Sequence, residues 1–200
     1  PETYCLSRYG RYDNDFVTLC HPVMKWLHKK TGHTIILSVI QGGKKFIIDY
    51  INENSEIFSQ DYEIRPDDLY RTASGRIIMA NMDTFEIQNI FHVQGCPNER
   101  EWDNINSFDD LLVKIRQIDK KGTTSAYCDI GGGTIHLGYA AAIYRYDQCV
   151  AALGVAISCA AAELDDFLNK EPQTSKLLLR ARNEIGRRLK ITDERNIDIF

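Results

Sequence analysis

The sequence predicts an α+β domain in which helices pack on an antiparallel sheet. Three observations carry that reading. Apolar, β-branched runs follow one another across short turns, the pattern of hairpins and a meander rather than of crossovers. Helical periods fall in blocks, so the order is helix, hairpin, helices, meander, helices; a doubly wound sheet alternates instead. Composition supplies the third: 200 residues, 44% hydrophobic and 26% charged, suit one globular domain with a well-buried core.

The first helix begins at Asp13 or Asn14, either of which can cap it. Phe16, Leu19, Cys20, Val23, Met24 and Leu27 recur along it at three- and four-residue steps. Pro22 inside that run predicts a kink or a later start, because proline lacks the N–H that a helix interior uses. Lys29 and Lys30 suit the negative C-terminal end, and Gly32 stops the helix. Residues 34–40 and 44–51 read as a hairpin about Gln41, Gly42 and Gly43. The stretch 52–69 is polar and reads as loop; a short helix follows from Thr72 and another covers 85–93. Ser107 caps the next, with Asp109 and Asp110 in its first turn and Leu111, Leu112, Ile115 and Ile118 on one face. Strands then cover 123–129, 134–144 and 149–157, and two helices, 160–169 and 173–189, close the chain.

Charge excludes one class of function. With 24 Lys and Arg against 28 Asp and Glu, the net charge is −4, and phosphate neutralisation needs a basic surface. If DNA matters, another part of the protein reads it. No apolar run approaches the roughly 18–20 residues that span a bilayer. The opening residues have no signal-peptide pattern, and the missing initiator Met marks the chain as trimmed or partial. The six cysteines are scattered with no C-x-x-C pair, which suits buried thiols in a reducing cytoplasm rather than disulfides or a structural zinc.

The tract 69–80 is the most informative. Thr72 can cap a helix whose first turn, Ala73, Ser74 and Gly75, is almost bare of side chains. Two readings stand. A bare helix start exposes backbone N–H groups to a carboxylate or phosphate, making Ala73 and Ser74 an anion cradle. Small residues also let a helix pack closely on a sheet. Gly131-Gly132-Gly133 lacks the Lys-Ser/Thr of a phosphate loop and reads as a flexible loop or lid. No nucleophile elbow, zinc-protease motif or distinctive carboxylate pair occurs, so no enzymatic centre and no cofactor are expected. Cys128, beside Asp129, is the thiol whose setting reads as most exposed. The basic residues of the last helix form a solvated face.

The tract Leu69-Tyr70-Arg71-Thr72-Ala73-Ser74-Gly75-Arg76-Ile77-Ile78-Met79-Ala80 resembles the L-x-x-T-A-x-G-K/R-x-L-L-A signature of the IclR family of bacterial transcriptional regulators, in its effector-binding domain. Thr31-Gly32-His33-Thr34 with Leu37 is similar to the T-G-E-T-x-x-L that opens that domain. Ala140-Ala141-Ala142-Ile143 and Val150-Ala151-Ala152-Leu153-Gly154-Val155 resemble its closing strands. The resemblance runs from about Asp13 to Leu189 and implies a GAF-like, profilin-like curved antiparallel sheet with a small-molecule pocket. It divides the chain into a tail of the wing and linker, 1–12, and an effector-binding domain with linker helix, 13–200. It also implies an N-terminal winged helix-turn-helix that touches DNA, and a cytoplasmic homodimer or dimer of dimers. Phe16, Leu19, Val23 and Leu27 would then serve either subunit contact or the core.

In family members that bind small organic acids, backbone amides matching Ala73 and Ser74 hold the acid, next to the cap Thr72. A cysteine and two serines of those members fall on Gly138, Gly154 and Ala156, and a family acidic residue falls between Ala126 and Asp129, with Asp129 the candidate. Losing three polar side chains leaves a very small acid short of partners and widens the cavity, so the expected effector is a carboxylate larger than a three-carbon acid. The expected function is effector sensing that alters oligomer geometry and DNA binding. The rivals are a thiol enzyme or redox sensor using Cys128, and a scaffold for oligomerisation alone.

Overall fold

The computed structural model describes residues 14–52, 69–119 and 122–197. The expected wing and linker tail at 1–12, the cap Asp13 and most of the polar loop expected at 52–69 lie outside them. Helix α1 (Asn14–Thr31) leads into β1 (Thr34–Gln41) and β2 (Lys44–Ile51). Helices α2 (Ala73–Met79), α3 (Thr84–Gln94) and α4 (Phe108–Asp119) follow, then strands β3 (Thr123–Gly131), β4 (Thr134–Arg145) and β5 (Gln148–Ala160). A 3₁₀ turn (Ala161–Glu163), α5 (Leu164–Asn169) and α6 (Glu171–Ile197) complete the described chain. The strands form one sheet in the order β2-β1-β5-β4-β3, with every pairing antiparallel. The α+β class read from the sequence is the observed one.

Local signals account for most boundaries. Gly32 ends α1 at φ 70°, its N–H donating to the His28 carbonyl at 2.7 Å. Asp83 and Glu86 form a capping box at the start of α3, and Ser107 Oγ accepts from the Asp110 N–H at 3.2 Å at the start of α4. Tyr146 and Asp147, at φ 50° and 61°, make the two-residue left-handed turn between β4 and β5.

Two expectations are corrected, and one left open is decided. Helix α1 runs from Asn14 through Pro22 to Thr31, so proline delays no start; α1's packing on the sheet and α6 holds the helix across the missing hydrogen bond. Of the two readings of the apolar face of α1, the core is the observed one: Phe16, Val23 and Leu27 are buried in this chain's own core, with Leu19 packed against it. Gly131, Gly132 and Gly133, all at positive φ, form the tight turn of the β3–β4 hairpin, too short to act as a lid.

Each face of the sheet is covered. On one, Ile35, Leu37, Leu137, Tyr139, Leu153 and Val155 meet α1 and α6 in a core of large side chains. On the other, Ala126, Ala140, Ala142 and Ala152 meet α2, α3 and α4; Ile77, Met79 and Leu111, with Trp102 from the connection between α3 and α4, supply the bulk. The alternation of β4 and β5 therefore separates a face of large residues from a face of small ones.

Candidate functional site

The start of α2 lies over the small-residue face. Thr72, in extended conformation at φ −112° and ψ 141°, caps the helix: its Oγ1 accepts from the Gly75 N–H at 3.2 Å, and its carbonyl from the Arg76 N–H at 3.0 Å. The same Oγ1 accepts from Lys45 Nζ at 2.9 Å, reaching across from β2. Lys45 is only 8% exposed. No acidic side chain occupies the first turn of α2, and an ammonium group sits at the positive end of the helix, where it is not neutralised by that turn.

Strand register sets the floor. Three cross-strand rows face α2: Ser38–Ala152–Ala142, Ile36–Gly154–Ala140 and Thr34–Ala156–Gly138–Ala126. A Cβ placed on Gly138 would lie 3.5 Å from Ala73 Cβ and 3.9 Å from Ala73 N, so the first residue of the helix stands directly over that glycine. Gly154 is buried, yet among the described residues a Cβ there would meet only backbone carbonyls, of Tyr139 at 3.4 Å and Ile36 at 3.8 Å. Ser38 is fully buried and its Oγ has no hydrogen-bond partner among the described residues.

Of the residues singled out from sequence, Thr72, Ala73, Gly138, Gly154 and Ala156 come together here, with Ser74 in the same helical turn. Asp129 does not join them. It pairs with Ile135, on the face of the α1 and α6 core, and its Oδ1 accepts from the Gly131 N–H at 2.8 Å. A register shift follows it, and the side chain lines a separate cleft of about 650 Å³ with Arg76, Trp102 and Asp103. The positions of that stretch that share a face with Gly138 are Ala126 and Cys128.

Sequence reasoning missed Lys45 and Ser38. The signal was present but faint: in a sheet covered on both sides, strand alternation puts Lys45 and Ile47 on one face and Phe46 and Ile48 on the other, so a strand lysine is committed to an interior. Its place beside a turn gave it no mark in the sequence that would set it apart from its neighbour Lys44. It also missed the clamp on α2. Arg76 Nε donates to the Tyr70 carbonyl at 2.6 Å and Nη2 to the Glu101 carbonyl at 2.7 Å, while the guanidinium lies 4.2 Å from the Trp102 ring centroid.

Cys128, half-buried, pairs across β3 and β4 with His136. Burial pushes the thiols of Cys20 and Cys149 up to about 12, which keeps both protonated and inert.

The family description "Bacterial transcriptional regulator IclR C-terminal" matches residues 12–186. That match favours a regulator domain over the thiol-enzyme and redox readings of Cys128. Among solved structures, the C-terminal domain of the E. coli transcriptional regulator KdgR is similar at a TM-score of 0.67 and 20% identity, over 88% of this chain and 98% of that one. An IclR homologue from Microbacterium hydrocarbonoxydans, complexed with 4-hydroxybenzoate, gives 0.70 and 14% over 88% and 69% of the two chains. The repressor BlcR of Agobacterium tumefaciens gives 0.65 and 19% over 94% and 71%. At these identities the likeness speaks for the fold. No curated protein matches the chain.

Proposed function

The chain belongs to the IclR family of bacterial transcriptional regulators, as their C-terminal domain, and from that premise we propose that it senses a small organic acid and signals to DNA-binding modules. The observation that carries the reading is the convergence of the α2 start on a sheet face of glycine, alanine and one orphaned serine. Ala73 and Ser74 offer backbone N–H groups, Thr72 holds the turn, Ala73 stands on Gly138, and Gly154 and Ala156 add nothing larger than a methyl group to the floor beside it. The domain binds rather than catalyses.

Size follows from the floor. With no side chain beyond Cβ at positions 138, 154 and 156, a two- or three-carbon acid lacks partners on the sheet side, so an aromatic or sugar acid suits better. The 4-hydroxybenzoate held by the Microbacterium relative has that size.

The net charge of −4 suits a domain that leaves phosphate contact to a winged helix-turn-helix on its N-terminal side. Two such modules reading two half-sites require a homodimer or a dimer of dimers. The effector acts by binding one subunit arrangement more tightly than another. No described helix is long and apolar enough to cross a membrane, and the described cysteines are free, as suits a cytoplasmic sensor.

Thermal unfolding in the presence of 4-hydroxybenzoate, gluconate, pyruvate and glyoxylate tests the reading. A ligand at a hundred times its Kd stabilises the native state by about 2.7 kcal/mol. The larger acids raise Tm and the two small ones do not. If none does, the domain is a scaffold; if glyoxylate binds tightest, the size argument is wrong.

A further inference from the structure

We propose that Lys45 and Ser38 recognise the effector's acidic group, the Lys45 ammonium taking the carboxylate's charge and the Ser38 hydroxyl donating to one of its oxygens. The assignment rests on the sensing reading above and adds to it the side chains that read charge.

Lys45 is in place for this role. It projects from β2 onto the face covered by α2, lies almost wholly out of solvent, and donates to Thr72 Oγ1 at 2.9 Å. An ammonium has three N–H donors in rotatable geometry, so it holds the cap and a ligand oxygen at once. Its charge adds to the field of the helix start, and the two together raise the affinity of that spot for an anion.

Ser38 is the independent observation. Its side chain is 0% exposed and its Oγ is unpartnered among the described residues, although a buried hydroxyl costs stability unless bonded. Register puts it within reach of the same ligand group: Ser38 pairs with Ile47 and Ile40 with Lys45, so the two polar residues are diagonal neighbours on one face. The Cα atoms of such positions stand roughly 7–8 Å apart, so one acidic group bound on that face can meet both side chains. The β1–β2 register shifts at the Leu37–Ser38 step, the kind of bulge that re-aims a side chain. Ala152 continues the row from Ser38 and Gly154 lies in the next, so at these two positions β5 presents nothing larger than a methyl group to the ligand.

The test compares 4-hydroxybenzoate with 4-hydroxybenzamide, and gluconate with gluconamide, by calorimetry on the whole chain and its K45M and S38A variants. Wild type prefers each acid to its amide. K45M weakens acid binding about tenfold or more and leaves the amides unchanged, as expected for a charge-assisted contact. S38A weakens acid binding severalfold. Lys45→Met without ligand unfolds within a few degrees of wild type, since methionine keeps the apolar stem. A lower Tm for K45M with an unchanged acid-to-amide ratio makes Lys45 a tether of the cap and overturns the proposal. If K45M does not fold, acid binding by S38A as tight as that of wild type does the same. Acids and amides bound alike by wild type overturn the charge assignment while effector sensing stands; no binding of any of the four removes both.

Discussion

At position 75 a single methyl group is too large. A Cβ there would lie 2.3 Å from the Leu69 carbonyl oxygen and 2.7 Å from its Cα, both backbone atoms that side-chain rotation cannot clear. Gly75→Ala therefore destabilises the domain by about 1–3 kcal/mol in urea unfolding, even though alanine is the better helix former. Gly138→Ala is the control. Its methyl meets Ala73 Cβ at 3.5 Å, an ordinary contact, and the change stays within about 0.5 kcal/mol. If the two variants lose stability equally, the close approach of Leu69 to α2 is wrong. The pair also separates two packing demands within the bare first turn. Gly75 is small because the preceding loop lies against it, whereas Ala73 is small because the sheet comes up beneath it at Gly138. Both facts were compressed into one run of small residues, and spacing alone could not separate them.

At the scale of elements, α2 is the one that cannot stand by itself. Seven residues are well short of the length at which a helix persists in water, so its position is imposed from outside. Thr72 fixes one end. Arg76 fixes the other through the carbonyls of Tyr70 and Glu101 and the ring of Trp102, even though burial lowers the pKa of its guanidinium. Arg76→Met leaves two carbonyls without donors and costs about 2–4 kcal/mol. Amide exchange rises across residues 73–79 while α6 keeps its protection; a uniform rise along the chain would mean that the clamp serves the whole fold. The helices and hairpins were legible because their signals are local: a cap at Thr72 or Ser107, a stop at Gly32, alternation in the strands. Trp102 and Glu101 lie far along the chain from Arg76, and Lys45 far from Thr72, with no period to link them. The T-A-S-G tract marked the helix that bears on the site but not the cation beside it. Asp129 failed to join for a related reason, because one residue of register decides which face a strand side chain takes.

The molecule as a whole is built asymmetrically about its sheet. One face carries Ile35, Leu37, Leu137, Tyr139, Leu153 and Val155, packed under α1 and α6, and Tyr139 adds a hydrogen bond from its hydroxyl to the Phe167 carbonyl at 2.6 Å. The other face offers α2, α3 and α4 little beyond alanine and glycine, so α2 lies close on the sheet but buries less apolar side chain there than α1 and α6 do on theirs, and that layer has least to lose by opening. A sensor benefits from this division, because a ligand on the small-residue face adds apolar contact where the sheet's own side chains supply little. Hydrogen exchange measured with and without saturating 4-hydroxybenzoate reads the consequence. In the apo protein the central strands β4 and β5 and the helices α1 and α6 exchange slowest, near the rate set by global unfolding, while α2 to α4 exchange faster. Ligand slows α2 and the facing residues of β1 and β5 most, because binding stabilises only states in which that layer is closed. Equal protection of both layers without ligand, or protection gained first on α1 and α6, would mean that the weak layer is not where the effector acts.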